Sequence, residues 1–250
     1  MRAPILSATA ALLRARSREI LLTLGGFLAI SVYVVMGEGE PADAVETVAV
    51  CLLLGAGLFS LLLTRGVVSE DLSRGVAPLW LQKPRSPVWL YFQRFLSAAL
   101  GGIVPTLVLA VVTLGLLLLS LPGEIDSYLR ALPTALLVAV MLSCITFAFS
   151  SFRIGPDAAL TLAFLFLVNS MAAMSTVEPD IFGFLGRASR RAAFPVDALA
   201  AFTDFVTGRP TVEAGRHLLH LLLYTATWVS VGILGLLHTT RFPTPSGHDG

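Results

Sequence analysis

Residues 95–121 read FLSAALGGIVPTLVLAVVTLGLLLLSL, a run without Asp, Glu, Lys or Arg that lies between Arg94 and Glu124. An α-helix rises about 1.5 Å per residue and the hydrocarbon layer of a bilayer is about 30 Å thick, so about 20 apolar residues suffice to cross it. This run has length to spare, and Pro105 within it predicts a kink or a tilt. Five further runs free of those four residue types lie at residues 20–37, 47–64, 131–152, 158–177 and 218–237. The expected fold is therefore all-α and integral to a membrane. It has six transmembrane helices, an interfacial helix at the N-terminus (residues 1–19), and short helices in the long outer loop (residues 178–217) before the last span.

Composition agrees with this reading. Hydrophobic residues make up 56% of the chain and charged residues 13%, about half the charged share of a soluble domain. The apolar runs are spread from end to end, which predicts one membrane domain over residues 1–250. A net charge of +1 suggests neither a nucleic-acid groove nor a funnel for acidic substrates. Cys51 and Cys144 sit in the middle of apolar runs, where a thiol packs as a small hydrophobe.

Orientation follows from the basic residues, because short loops rich in Arg and Lys stay in the cytoplasm. With the N-terminus inside, the inner segments carry Arg2, Arg14, Arg16, Arg18, Arg65, Arg74, Lys83, Arg85, Arg94, Arg153 and Arg241. The outer ones carry Arg130, Arg187, Arg190, Arg191, Arg209 and Arg216, while the first outer loop, GEGEPADAVE at 37–46, is acidic. Both termini are thus expected in the cytoplasm. The apolar part of the N-terminal segment starts only after about nineteen residues and lacks a clean small-residue cleavage site, so the segment reads as an interfacial helix rather than a signal peptide. Ile5, Leu6, Leu12 and Leu13 share one side and Arg14 and Arg18 the other. Arg16 falls among the apolar residues and is expected to extend its stem toward the headgroups.

Helix starts are marked by Asp43 followed by Glu46, with the spacing of a capping box, by Gly155-Pro156-Asp157, and by Thr211 before Glu213. In the outer loop, Val196, Leu199 and Val206 are expected on or near one face of a short helix ending at Gly208.

The segment with most to say about function is TRGVVSEDLSRGVAPLWLQKPRSPVWLYFQRFLSA, residues 64–98. An acidic residue after the second span (Glu70), a turn at Gly75, an apolar stretch at Leu79–Leu81, a break at Pro84 and a basic residue opening the third span (Arg94) resemble the loop of ATP-binding-cassette type-2 transporter permeases. The resemblance implies that residues 65–94 form a cytoplasmic coupling loop whose short helix seats in a cleft of a separate ATPase. Leu72, Leu79, Trp80 and Leu81 would supply apolar contacts, and Glu70, Asp71 and Arg74 would pair with charges on the partner. It further implies an exporter in the bacterial cytoplasmic (inner) membrane, completed by a second permease copy or a homologue. Pro78 departs from the family pattern, since proline in mid-helix removes a hydrogen bond at a cost of about 3 kcal/mol. The helix is then broken near Gly75 or restarts at Pro78. An ordinary solvated loop is the competing reading. Lys83 is the chain's lysine and no P-loop surrounds it, so no cofactor is expected on this chain and ATP and Mg would act on the partner subunit.

Within the spans, Ser143, Thr146, Ser150 and Asn169 either satisfy neighbouring helices or line a pathway. No Asp, Glu, Lys or Arg sits near the middle of a span, which argues against proton- or ion-coupled transport. Arg187, Arg190 and Arg191 form a basic cluster for lipid phosphates, solvent or an anionic substrate. His217 and His220, three apart, make a weak metal pair. No Gly-x-Ser-x-Gly or His-Glu-x-x-His occurs, so no enzymatic activity is expected of the chain. A non-transporting structural or assembly subunit of a larger membrane complex is the alternative function.

Overall fold

The computed structural model describes residues 4–37, 40–73, 86–121, 125–152, 156–177, 189, 193–206, 208 and 214–241. Among these residues there is no strand. The helices are α1 (Pro4–Ala15), α2 (Ser17–Val35), α3 (Pro41–Thr64), α4 (Ser69–Ser73), α5 (Pro87–Ser120), α6 (Asp126–Ser151), α7 (Asp157–Val177), α8 (Val196–Val206) and α9 (Ala214–Arg241). Five of them, α2, α3, α5, α6 and α9, are long and apolar enough to cross a membrane. The fifth expected run folds as α7, whose described apolar stretch, Asp157–Ala173, is shorter than the others.

Each expected run is helical, but its ends move outward where local chemistry favours it. The second helix starts at Pro41, with Glu40 at the N-cap and no capping side chain. Proline is pre-organised for a first helical turn and loses no hydrogen bond there, so the capping box expected at Asp43 does not form. Asp43 lies inside the first turn, where its charge complements the helix dipole and its carbonyl accepts the Thr47 hydroxyl at 2.8 Å. Helix α5 likewise begins at Pro87 and runs 34 residues, with Pro105 inside it. Its early start carries Arg94 into the helix. Helix α6 starts at Asp126, which pairs with Arg130 one turn on. Thr211 and Glu213 lie outside the described residues.

At the centre stands α3, packed between α2, α5 and α6. In its apolar stretch 67% of residues are buried, against 6% in α2, so α3 is the axis of the bundle and α2 a perimeter helix. Val48, Leu52, Phe59 and Leu63 of α3 meet Leu109 and Leu117 of α5 and Tyr128 of α6 in one core cluster. The Tyr128 hydroxyl, wholly buried, donates to the Ala110 carbonyl at 3.0 Å and bonds the Thr113 hydroxyl. The perimeter is as apolar as the interior. Leu22, Tyr33, Val111, Leu119, Phe166 and Leu222 are all well exposed, a surface that hydrocarbon accepts and water does not.

Close helix contacts depend on glycine. A Cβ on Gly102 of α5 would sit 3.3 Å from the Ser60 Cα of α3, and one on Gly232 of α9 would sit 2.5 Å from the Phe147 ring of α6. Gly115, one face round on α5, has nothing within 4 Å. Gly102→Leu should therefore cost about 1–3 kcal/mol of overpacking. Gly115→Leu should not destabilise, and should gain up to about 1 kcal/mol of helix propensity. The measurement is the unfolding midpoint of each purified variant in a detergent titration, and equal midpoints would contradict this packing.

Candidate functional site

The last carbonyls of an α-helix have no partner within the helix and must find one elsewhere. At the end of α3, Arg65 N–H closes on the Leu61 carbonyl at 3.0 Å and Val67 N–H on Thr64 at 3.3 Å. The carbonyls of Leu62 and Arg65 are taken by the guanidinium of Arg16, at 2.8 and 3.3 Å. Arg16 is the single residue between α1 and α2. A cation at a helix C-terminus also suits the helix dipole. The snorkelling expected of Arg16 is thus corrected: its side chain turns inward, 16% exposed, because four polar groups of the bundle end await it. Its Nη2 lies 3.7 Å from Glu70 and its Nη1 3.9 Å from Glu19. Burial lowers the Arg16 pKa, nearby Arg65 lowers it further, and Glu19, Glu70 and Asp157 oppose the shift. The guanidinium stays charged.

Beyond α3 the chain turns at Gly66, whose φ of +72° is a left-handed value that costs a residue with a Cβ about 1–2 kcal/mol. Its N–H donates to Asp157 Oδ2 at 2.7 Å, and the Ser69 hydroxyl donates to the same oxygen at 3.1 Å. The N–H groups of Val68 and Ser69 both donate to Ser150 Oγ, at 3.0 and 3.1 Å. Asp157 is almost fully buried, and its other oxygen accepts Ala158 N–H at 2.9 Å in the first turn of α7. The start of α7 at Asp157 therefore places a carboxylate with two duties, one toward its own helix and one toward the turn after α3; Gly155 of the expected start lies outside the described residues. Asp71 of α4 forms an ion pair with Arg94 of α5.

The short helix α4 is consequently fastened to Arg16 at the α1–α2 link, Arg94 of α5, Ser150 of α6 and Asp157 of α7. A cavity of about 370 Å³ beneath it is lined by Ala8, Leu12, Arg16, Glu70, Asp71 and Arg94, among others. Glu19 and Arg65 form a further pair at 2.6 Å on the rim.

Among the residues singled out from sequence, Glu70, Asp71 and Leu72 lie in α4, and the first two have their charges met within the chain. Arg74, Gly75, Pro78, Leu79, Trp80 and Leu81 lie outside the described residues, as do Arg187, Arg190 and Arg191. Ser143, Thr146 and Ser150 are buried between helices: Thr64 donates to Ser143 at 3.2 Å and Thr161 to Thr146 at 3.3 Å. Asn169 stands apart from them, donating to Leu165 O at 2.7 Å and accepting Phe194 N–H at 3.3 Å beside a second cavity. Helix α8 ends at Val206, Gly208 has a φ of +77°, and the buried face of the helix is Ala198, Leu199 and Ala201, with Val206 half exposed. The Thr203 hydroxyl of α8 meets that of Thr134 on α6. His217 and His220 belong to no metal-binding group among the described residues. Arg16, Glu19, Arg65 and Asp157 were not singled out from sequence as functional. The one signal for them was the misplacement of Arg16 on the apolar side of α1.

Neither a family profile nor a curated protein matches the chain.

The two arginines of the junction differ in burial, and that decides their weights. Arg65 and Glu19 are each about two-fifths exposed, so their pair contributes about 0.2–1 kcal/mol and is screened by salt. Arg16 bonds two helix carbonyls in a shielded position, and a charged hydrogen bond of that kind contributes about 1.5–3 kcal/mol. Arg16→Ala should lower unfolding stability by about 2–3 kcal/mol, independently of ionic strength. Arg65→Ala should cost less than about 1 kcal/mol and lose its effect in high salt. Unfolding titrations at two salt concentrations distinguish the two, and a reversed order would remove Arg16 from the centre of the junction.

Proposed function

We propose that the chain is the membrane-spanning permease subunit of an ATP-binding-cassette type-2 transporter working as an exporter. On this reading it has six spans, with α7 as the fifth, both termini in the cytoplasm, and a place in a bacterial inner membrane. At 21 residues, α7 is about 31 Å long, enough for a hydrocarbon layer of about 30 Å. ATP and Mg act on a separate cytoplasmic ATPase subunit, and a second permease copy or homologue completes the pathway. The observation that supports the reading best is the fastening of α4, the start of the segment that resembles a coupling loop. A push on α4 from a cytoplasmic partner would reach α1–α2, α5, α6 and α7 through bonds rather than through slack chain. Glu70 and Glu19, each about two-fifths exposed, leave carboxylate surface at the rim for a partner's cations.

A non-transporting assembly subunit would need no ATPase. Affinity purification of the tagged chain from its native membranes in mild detergent should retain an ATP-binding-cassette ATPase in fixed proportion; a complex lacking one overturns the proposal. Glu70→Arg should abolish transport-linked ATPase activity at normal expression. The unfolding midpoint of the same variant divides the two roles: lost activity with an unchanged midpoint assigns Glu70 to the partner contact, and a midpoint lowered as in Arg16→Ala assigns it to the fastening of α4. Full activity of the variant would remove Glu70 from coupling altogether.

A further inference from the structure

A second cavity, of about 590 Å³, lies between α3, α6, α7 and α8, within the size range of small-molecule sites. Its walls include Leu54 and Leu58 of α3, Val138 of α6, Leu162 and Asn169 of α7, and Leu199 of α8. No charged side chain lines it among the described residues. Leu54, Leu58 and Leu162 are each between two-fifths and three-fifths exposed. Leu54 and Leu58 belong to interior turns of α3 and Leu162 to the second turn of α7, all within the apolar stretches of those helices, so the cavity opens sideways between the two. From Leu53 to Leu61 its α3 wall spans about 12 Å, so the space is elongated along the helices. Phe194 and Leu199 close it at the α8 end.

Three kinds of occupant compete for such a space. Water needs two to four polar partners, and the lining offers little beyond Asn169 and Thr134, whose hydroxyl already meets Thr203. A charged group would lie unpaired in an apolar wall. A flexible hydrocarbon chain, present in excess at a sideways mouth, meets neither obstacle. Asn169 adds direction. Its amide has two N–H groups and one is used on Leu165 O; its oxygen accepts Phe194 N–H. The second N–H remains to donate to an acceptor on the occupant.

We infer that this cavity binds one acyl chain of an uncharged or zwitterionic lipid-like molecule, with the Asn169 amide donating to an ester or amide carbonyl at the chain's head. The inference rests on the transporter reading for its membrane setting and gives that reading a substrate class, an acylated amphiphile rather than a sugar, an ion or a soluble peptide. Helix α8, held by the Asn169–Phe194 and Thr134–Thr203 bonds, closes the end of the site where the carbonyl sits.

The test uses the full chain in phosphatidylcholine vesicles containing a phosphatidylcholine with a photoactivatable group midway along one acyl chain. Labelled peptides should come from α3 around Leu58 and from α7 around Leu162. Labelling there should fall more steeply when the probe is diluted with ester-linked than with ether-linked phosphatidylcholine of equal chain length, which is the competition to be read, and Val138→Trp, which fills the space, should reduce it about tenfold. Val111→Trp on the exposed face of α5 should leave it unchanged. Asn169→Leu should abolish preference for an ester-linked over an ether-linked probe of equal length. Labelling that is uniform over the perimeter, insensitive to Val138→Trp, or replaced by cross-links between two copies of the chain overturns the inference. If Val138→Trp does not fold, competition on the unsubstituted chain decides the matter. Binding is read without any ATPase, so its failure leaves the co-purification result standing, and failure of co-purification leaves the binding result standing.

Discussion

The guanidinium of Arg16 sits where the central helix of the bundle runs out of its own hydrogen-bond donors. Two carbonyls at the end of α3 require partners, and Arg16 reaches both from the link between α1 and α2. That one placement sets the direction of α1, because the residue before α2 is held at the end of α3. It also fixes the charge of the neighbourhood. Among the described residues, Glu19, Glu70 and Asp157 gather around Arg16 and Arg65, and Asp71 pairs with Arg94.

Packing divides the molecule into a stiff centre and a looser edge, and the two candidate sites fall on either side of that division. The centre is α3 against α5 and α6, brought close by Gly102 and closed by Tyr128; α9 meets α6 through Gly232. The polar junction caps the end of this stiff part, so bonds made there act on a body that does not yield locally. Helix α7 belongs to the edge, with Leu162, Phe166 and Leu167 exposed. The cavity beside it lies where α7 touches α3 only slightly, and α8, packed on α6 and α9, lines one end of it. Segments with few buried apolar contacts open at lower free-energy cost, so movement of α7 and α8 is cheaper than movement of α3.

Length and hydropathy alone were enough to read the helices, because a span needs only an uncharged run and the run needs no knowledge of its neighbours. Helix ends were less legible, since Pro41 and Pro87 start their helices earlier than the hydropathy does, and the early start of α5 is what brings Arg94 to Asp71. The junction was nearly invisible. Arg16 and Leu62 are 46 residues apart and Gly66 and Asp157 are 91 apart, and no periodicity links residues at such separations. Ser150 could be placed on a polar helix face, but that its hydroxyl would accept two backbone N–H groups from another segment depended on a turn at Gly66 that the tertiary fold creates. Asn169 read as one polar interruption among several. Its separate position beside a cavity follows from where α8 docks.

A helix of five residues has no stability of its own, because nucleation fixes several residues for the first hydrogen bond and too few bonds follow to repay it. Helix α4, Ser69–Ser73, therefore exists as a helix because of its anchors. The bonds from Ser150 and Asp157 organise its first turn, and the pairs to Arg16 and Arg94 hold its acidic side. A load on α4 has two outcomes: the anchors hold and the attached helices shift, or they break and the helix melts. Three of the anchoring bonds involve groups almost wholly removed from solvent, where breaking them leaves a polar group unsatisfied at about 1–3 kcal/mol each. Shifting a perimeter helix such as α7 exchanges one apolar contact for another and costs less. The balance favours transmission, so on the proposed transporter reading the buried pair Ser150 and Asp157 would determine coupling as much as the loop's own contact with a partner would.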